Sequence, residues 1–132
     1  MKRWSIILPT RERVQLLTEL LASIQNTAAD LSSVEALIVY DNDDLVTHKV
    51  APGLAGRFPF ASFHVSERQR NFSTGYYGYL SGQSTGKYVQ AINDDCIYCT
   101  PGWDDLGFDI LEKAKEKFPD GIIYGGCDDG TE

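Results

Sequence analysis

The chain has 132 residues and a net charge of −7, with 42% hydrophobic and 11% aromatic residues. That length suits one domain with a real core, and the apolar content excludes a disordered tail. The acidic balance argues against nonspecific nucleic-acid binding, and no apolar run approaches the roughly 20 residues of a membrane span.

The opening Met1–Leu8 carries early basic residues and an apolar run, but Pro9-Thr10-Arg11 cuts it off too soon for a signal peptide. The three cysteines, Cys96, Cys99 and Cys127, are too few for a disulfide scaffold. Both features predict a cytoplasmic protein.

Trp4–Leu8 reads as a buried strand that Pro9 stops, with Thr10 placed to cap a helix. Along that helix Val14, Leu17, Leu21 and Ile24 recur at spacings of three and four, and Leu16 and Leu20 widen the stripe. The helix is expected to end near Asn26. Glu35–Tyr40 is almost continuously apolar, as in a parallel strand covered on both faces, and Asp41-Asn42-Asp43-Asp44 ends it. Pro52, Gly53, Gly56 and Pro59 make 45–60 a surface connection, with a short helix over 44–49. Ala61–Val65 is a third strand, Glu67–Asn71 a charged loop and Phe72–Gly82 a helix weakened by Gly75 and Gly78. Lys87–Ile92 reads as the fourth strand. A helix over Trp103–Phe118 presents Leu106, Ile110, Leu111, Ala114 and Phe118 on one face. Ile122–Tyr124 reads as a fifth strand, and 125–132 has no regular pattern. This alternation predicts a three-layer α/β/α sandwich with a mostly parallel sheet, whose ligands bind beyond the carboxyl ends of the strands.

The residues that follow the strands carry the chemistry. After the first come Pro9, Thr10, Arg11 and Arg13; after the second, Asp41 to Asp44; after the third, Arg68 and Arg70; after the fourth, Asn93, Asp94 and Asp95. In a parallel sheet these all meet on one rim. Arginine suits phosphate, and paired carboxylates suit a hard divalent cation or ribose hydroxyls. The rim is thus suited to a nucleoside diphosphate and its metal. Asp43-Asp44 by itself reads as a solvated turn, and Arg68 and Arg70 by themselves as surface charges. Asp94-Asp95 is different: adjacent carboxylates directly after a buried strand need water, a cation or hydrogen bonds. Cys96 and Cys99 form a single CxxC and read as packing residues. His48 and His64 are isolated. No P-loop and no G-x-G-x-x-G is present.

Three segments resemble a known family. "SIILPTRERVQLLTELLASI" is similar to the opening strand, Pro-Thr-Arg turn and Leu-rich helix of inverting GT-A glycosyltransferases of the family-2 type. "EALIVYDNDD" resembles their second strand and acidic turn. "RQRNFSTGYYGYLSGQSTGKYVQAINDDCIYCTPGW" resembles the region leading to their DXD-type motif and a Pro-Gly-Trp. The likeness implies an abridged GT-A fold, the amino-terminal, donor-binding half, as a single domain over residues 1–132. By that likeness Pro9 and Arg11 line the base pocket, and Asp41 accepts a hydrogen bond from the base, typically uracil. Arg13 and Arg70 lie near base or diphosphate, Asp94 faces the ribose or sugar, and Asp95 ligates Mn²⁺ or Mg²⁺.

Two departures from the family pattern stand out. Asn93 occupies the place of a first Asp. The acceptor-binding half, with its general base, is expected to be missing, and Asp128, Asp129 and Glu132 come too early to supply it. The expected function is binding of a nucleotide-diphospho-sugar, such as a UDP-sugar, for transfer to an unknown acceptor. The alternatives are a noncatalytic nucleotide- or sugar-binding module and a nucleotidyltransferase. Apolar surface left by the missing half would favour a homo-oligomer.

Overall fold

The structure, a computed structural model, describes residues 1–126. Cys127, Asp128, Asp129 and Glu132 lie outside the described residues. The elements run β1 (Trp4–Thr10), α1 (Val14–Thr27), β2 (Val34–Asp41), α2 (Leu45–Arg57) and β3 (Ala61–Ser66). They continue through a π-helical turn (Phe72–Tyr77), α3 (Gly78–Gln83), β4 (Tyr88–Ala91) and α4 (Trp103–Lys115). The four strands stand in the order β3-β2-β1-β4, and every pairing is parallel. A parallel sheet buries both faces, which the sequence of β2 obeys: seven of its eight residues are buried.

Alternation along the strands divides the core in two. Ile6, Leu8, Ala36 and Ile38 point to one face, where they pack with Leu17, Leu20, Leu21 and Ile24 of α1, Leu54 of α2 and Trp103 of α4. Ile7, Leu37 and Val39 point to the other, against Tyr76 and Leu80 of the π-turn and α3. Helices therefore cover both sides of the sheet, giving the three layers expected. Leu16 falls outside the α1 stripe and is exposed.

Pro9 does not stop β1. The strand continues to Thr10 because β4 has ended by then. Ile7 accepts a bond from Ile92 at 3.1 Å, so the backbone position of Pro9 faces the same side, beyond Ala91. A missing N–H costs nothing where no neighbour remains to accept it. It also marks the place where β1 and β4 part and a crevice opens.

Four further expectations are corrected. Residues 45–57 form one helix through Pro52, Gly53 and Gly56 rather than a surface connection. Thr47, Ala51, Leu54 and the following Phe58 bury a stripe at spacings of four, three and four, and this tertiary packing overrides the weak local propensity. Asp44 starts that helix as its N-cap, accepting from the Thr47 N–H at 3.0 Å, so it is a buried structural group rather than a solvated one. α4 turns a different face inward than expected: Trp103 and Asp104 are buried, whereas Leu106 and Ile110, and Phe118 beyond the helix, are half exposed or more. Ile122–Tyr124 forms no strand, and both Ile122 and Tyr124 are exposed.

α4 is held by its polar start. Asp104 is fully buried and accepts from the backbone N–H of Ala29 at 2.7 Å and of Asp30 at 2.9 Å. The Trp4 indole N–H donates to the Asp104 carbonyl at 2.9 Å. At the entry to β4, a Cβ on Gly86 would come within 2.5 Å of the Ser5 backbone nitrogen, so only glycine fits.

Asp104→Ala removes the buried acceptor of two backbone N–H bonds and leaves a void in its place, and is expected to cost about 1 to 3 kcal/mol, read as a lower urea midpoint. Gly86→Ala should destabilise by about 1 to 3 kcal/mol through overpacking against β1, read the same way. Burial pushes the Asp44 and Asp104 carboxyls up. Hydrogen bonds from Thr47 and Glu12, and from Ala29 and Asp30, outweigh it and leave both below the usual carboxylate value. Each therefore stabilises the fold above its unfolded pKa of about 3.9 and loses that contribution as pH falls through the folded one. Thermal melts should show stability declining below about pH 4, and less steeply in Asp104→Asn.

Candidate functional site

The carboxyl ends of β1, β2 and β4 and the loop after β3 enclose a cavity of about 360 Å³. Pro9, Thr10, Arg11, Glu12, Arg13, Asp41, Arg68, Phe72, Tyr76, Asn93, Asp94 and Asp95 line it. It opens where β1 has β2 on one side and β4 on the other, the point at which the strand order reverses.

Asp41, the last residue of β2, is 4% exposed. The Arg11 guanidinium donates to it at 2.9 Å and to Asp43 at 2.6 Å. The Tyr76 hydroxyl donates to the other Asp41 oxygen, and itself accepts from the Gln69 N–H at 3.0 Å. The hydrogen bonds that Arg11 donates to Asp43, then to Asp41, push its pKa up, and Arg11 in turn holds the Asp43 carboxyl below its usual value. Burial, then the bond to Asp41, raises the Tyr76 phenol. Tyr76 therefore stays a neutral donor at physiological pH.

Asp94 is 6% exposed and bound in the same way from β1. Thr10 donates to one oxygen at 2.9 Å and Arg13 to the other at 3.2 Å. Thr10 thus ends β1 and fixes Asp94 instead of capping α1, whose cap position is Arg13. The adjacent Asp95 is exposed, lines the cavity, and makes no hydrogen bond or ion pair among the described residues. The two neighbouring carboxylates therefore avoid repulsion by division: one is buried and paired, the other faces water.

The loop between β1 and α1 is strained at Glu12, whose φ is +51°. Its N–H donates to the buried Asp44 at 2.9 Å, which ties the turn to the start of α2. The loop after Asp95 is anchored to α1. Tyr98 N–H donates to Ser23 Oγ at 2.9 Å and Gly102 N–H to the Thr27 carbonyl at 2.7 Å, with Gly102 at φ +73°. The Pro-Gly-Trp motif is therefore an anchor, its Trp103 ring 4.6 Å from that of Tyr98. Cys96 packs against the core beside it, whereas Cys99 is exposed and does not serve as a packing residue.

Six of the residues singled out by sequence, Pro9, Arg11, Arg13, Asp41, Asp94 and Asp95, line this one cavity. Arg70 does not; it is exposed, and Arg68 stands at the cavity instead. Arg68 makes no hydrogen bond or salt bridge among the described residues, although its charge lowers the Asp43 pKa. Sequence reasoning missed Phe72 and Tyr76. Their aromatic pair at i and i+4 was the available signal.

No protein-family model matches the chain, and no curated protein matches it. Solved structures do. S. aureus TarS 1-349 superimposes with a TM-score of 0.66 at 17% identity, over 86% of this chain and 33% of its own. The mannosyltransferase PcManGT from Pyrobaculum calidifontis, in complex with GDP-Man and Mn²⁺, gives 0.65 at 20% identity, over 82% of this chain and 31% of its own. TarS 1-349 in complex with UDP-GlcNAc gives 0.61 at 20% identity. The chain spans about a third of the length of these proteins. It has the fold of the amino-terminal half of a GT-A glycosyltransferase.

Proposed function

We propose that the chain binds a nucleoside-diphosphate sugar, with UDP as the expected nucleotide, and serves as the donor-binding part of a glycosyltransferase. One observation carries this reading: the acids closing β2 and β4 and the arginines following β1 and β3 meet in a single cavity at the strand-order reversal. The complexes of similar folds with UDP-GlcNAc and GDP-Man support it.

The residues have distinct roles in this reading. Pro9, Arg11 and Asp41 take the base. Asp41 keeps lone pairs beyond those used by Arg11 and Tyr76, so it accepts an N–H from the ring edge. Asp94, oriented by Thr10 and Arg13, accepts ribose or sugar hydroxyls. Arg13 and Arg68 face the diphosphate, which Arg70 reaches only by a change in its loop. Asp95 holds Mn²⁺ or Mg²⁺. The donor set fits such an ion, because these cations are often held by one or two carboxylates with phosphate oxygens and water completing the shell. Among the described residues, no group of three or more His, Cys, Asp or Glu is placed to hold a metal ion by itself. When bound, the metal supplies charge stabilisation for the leaving nucleoside diphosphate.

A second reading is binding without transfer. It is favoured by the engagement of Asp41 and Asp94: Arg11 and Tyr76 already bond the first, Thr10 and Arg13 the second, so both serve as held acceptors. Hydrolysis or transfer of a UDP-sugar, measured as UDP release, separates the two.

A thermal-shift series with UDP and GDP, with and without Mn²⁺, tests donor binding. A nucleotide at 100 times its Kd should add about 2.7 kcal/mol of stability. Asp95→Ala should lose the Mn²⁺-dependent part and keep the unliganded melting temperature, because Asp95 makes no hydrogen bond or ion pair among the described residues. No response to either nucleotide in the unmodified protein overturns the reading.

A further inference from the structure

Two aromatic side chains line the cavity, Tyr76, which is buried, and Phe72, which is open. Phe72 is 57% exposed. Isolated apolar side chains on a surface are ordinary. This one is held in place by the segment that carries it. Asn71 Oδ1 accepts from the backbone N–H of Ser73 at 2.9 Å and of Thr74 at 3.3 Å. The Gly75 N–H donates to the Asn71 carbonyl at 2.8 Å. A Cβ on Gly75 would meet the Gln69 side chain at 2.5 Å, so the turn is packed closely against the preceding loop. The Tyr76 ring lies 5.1 Å from that of Phe72 at 83°, an edge-to-face contact that fixes the phenyl's tilt. Tyr76 is itself buried and donates to Asp41. An open aromatic ring and a carboxylate acceptor are thus joined rigidly through one side chain. That pair matches a flat heterocycle with an N–H on its edge.

We propose that Phe72 is the stacking platform for the base of the bound nucleotide, with Asp41 reading the base's N–H edge. The proposal rests on the donor-binding reading above and adds to it the residue that holds the base. Stacking tolerates any base, because every base has a π-face. Phe72 therefore supplies affinity to uracil and guanine nucleotides alike, while Asp41 selects for a ring N–H donor.

Calorimetric titration of UDP, GDP and inorganic pyrophosphate, each with Mn²⁺, tests this on the unmodified chain and on Phe72→Ala, Phe72→Leu and Phe72→Tyr. Phe72 is exposed, so the variants should keep the parent melting temperature, which is checked first. Phe72→Ala is expected to weaken UDP and GDP about tenfold or more and to leave pyrophosphate unchanged. Phe72→Tyr should stay within about threefold of the parent, and Phe72→Leu should follow Ala, since it keeps apolar cover without the ring. Equal affinity of Phe72→Ala and the parent for UDP overturns the stacking role and leaves donor binding standing. So does a loss of pyrophosphate as large as that of UDP, because the defect would then not lie at the base. A parent protein that binds neither nucleotide overturns the donor-binding reading itself, and this proposal with it.

Discussion

The site depends on β1 lying between two strands whose ends are acidic. Arg11, just beyond β1, reaches Asp41 on one side at 2.9 Å; Thr10 and Arg13 reach Asp94 on the other at 2.9 and 3.2 Å. Both carboxylates are more than nine-tenths buried. A buried carboxylate without a partner costs several kcal/mol, of order 3 to 5 when one member of a pair is removed. The turn after β1 therefore does two things with one set of side chains. It makes the acidic rim compatible with folding, and it fixes where each carboxylate points.

The surrounding layers extend this constraint. On one face, Tyr76 packs with Ile7, Leu37 and Val39 and donates to Asp41, so the packing that covers the sheet also orients the acid. On the opposite face, Ser23 and Thr27 of α1 bind the loop that follows Asp95. The strained Glu12 is held by Asp44, the same residue that caps α2. Each polar clamp joins the site to an element with a large apolar interface. The rim is thereby preorganised while Asp95 and Arg68 remain without hydrogen bonds among the described residues, available to a ligand.

Parts of this were legible in the residues and parts were not, for identifiable reasons. Leu17, Leu21 and Ile24 are all fully buried, because a helix stripe of that spacing meets any flat core. The continuous apolar run of β2 needs two covered faces, and it has them. α2 was hidden because Pro52 and two glycines depress local propensity, whereas Leu54 within the helix and Phe58 just after it hold it by packing into the core. In α4 two apolar stripes compete. The buried one starts at Trp103 and Asp104 because Asp104 binds the backbone at the end of α1, a contact 75 residues away in sequence. Ile122–Tyr124 carries strand-forming residues, but Ile122 and Tyr124 stand exposed and the segment has no neighbouring strand among the described residues.

Periodicity and composition were enough to establish a parallel α/β domain with acids and arginines after its strands. These are local properties: side-chain type against the repeat of helix or strand. Which of those charges became partners depended on strand order, which no local pattern encodes. The placement of β1 between β2 and β4 made Arg11 and Arg13 clamps, left Asp95 open beside a buried Asp94, and brought Arg68 rather than Arg70 to the cavity. Phe72 and Tyr76 entered the site for the same reason, because the π-turn packs on the face of β2 beneath Asp41.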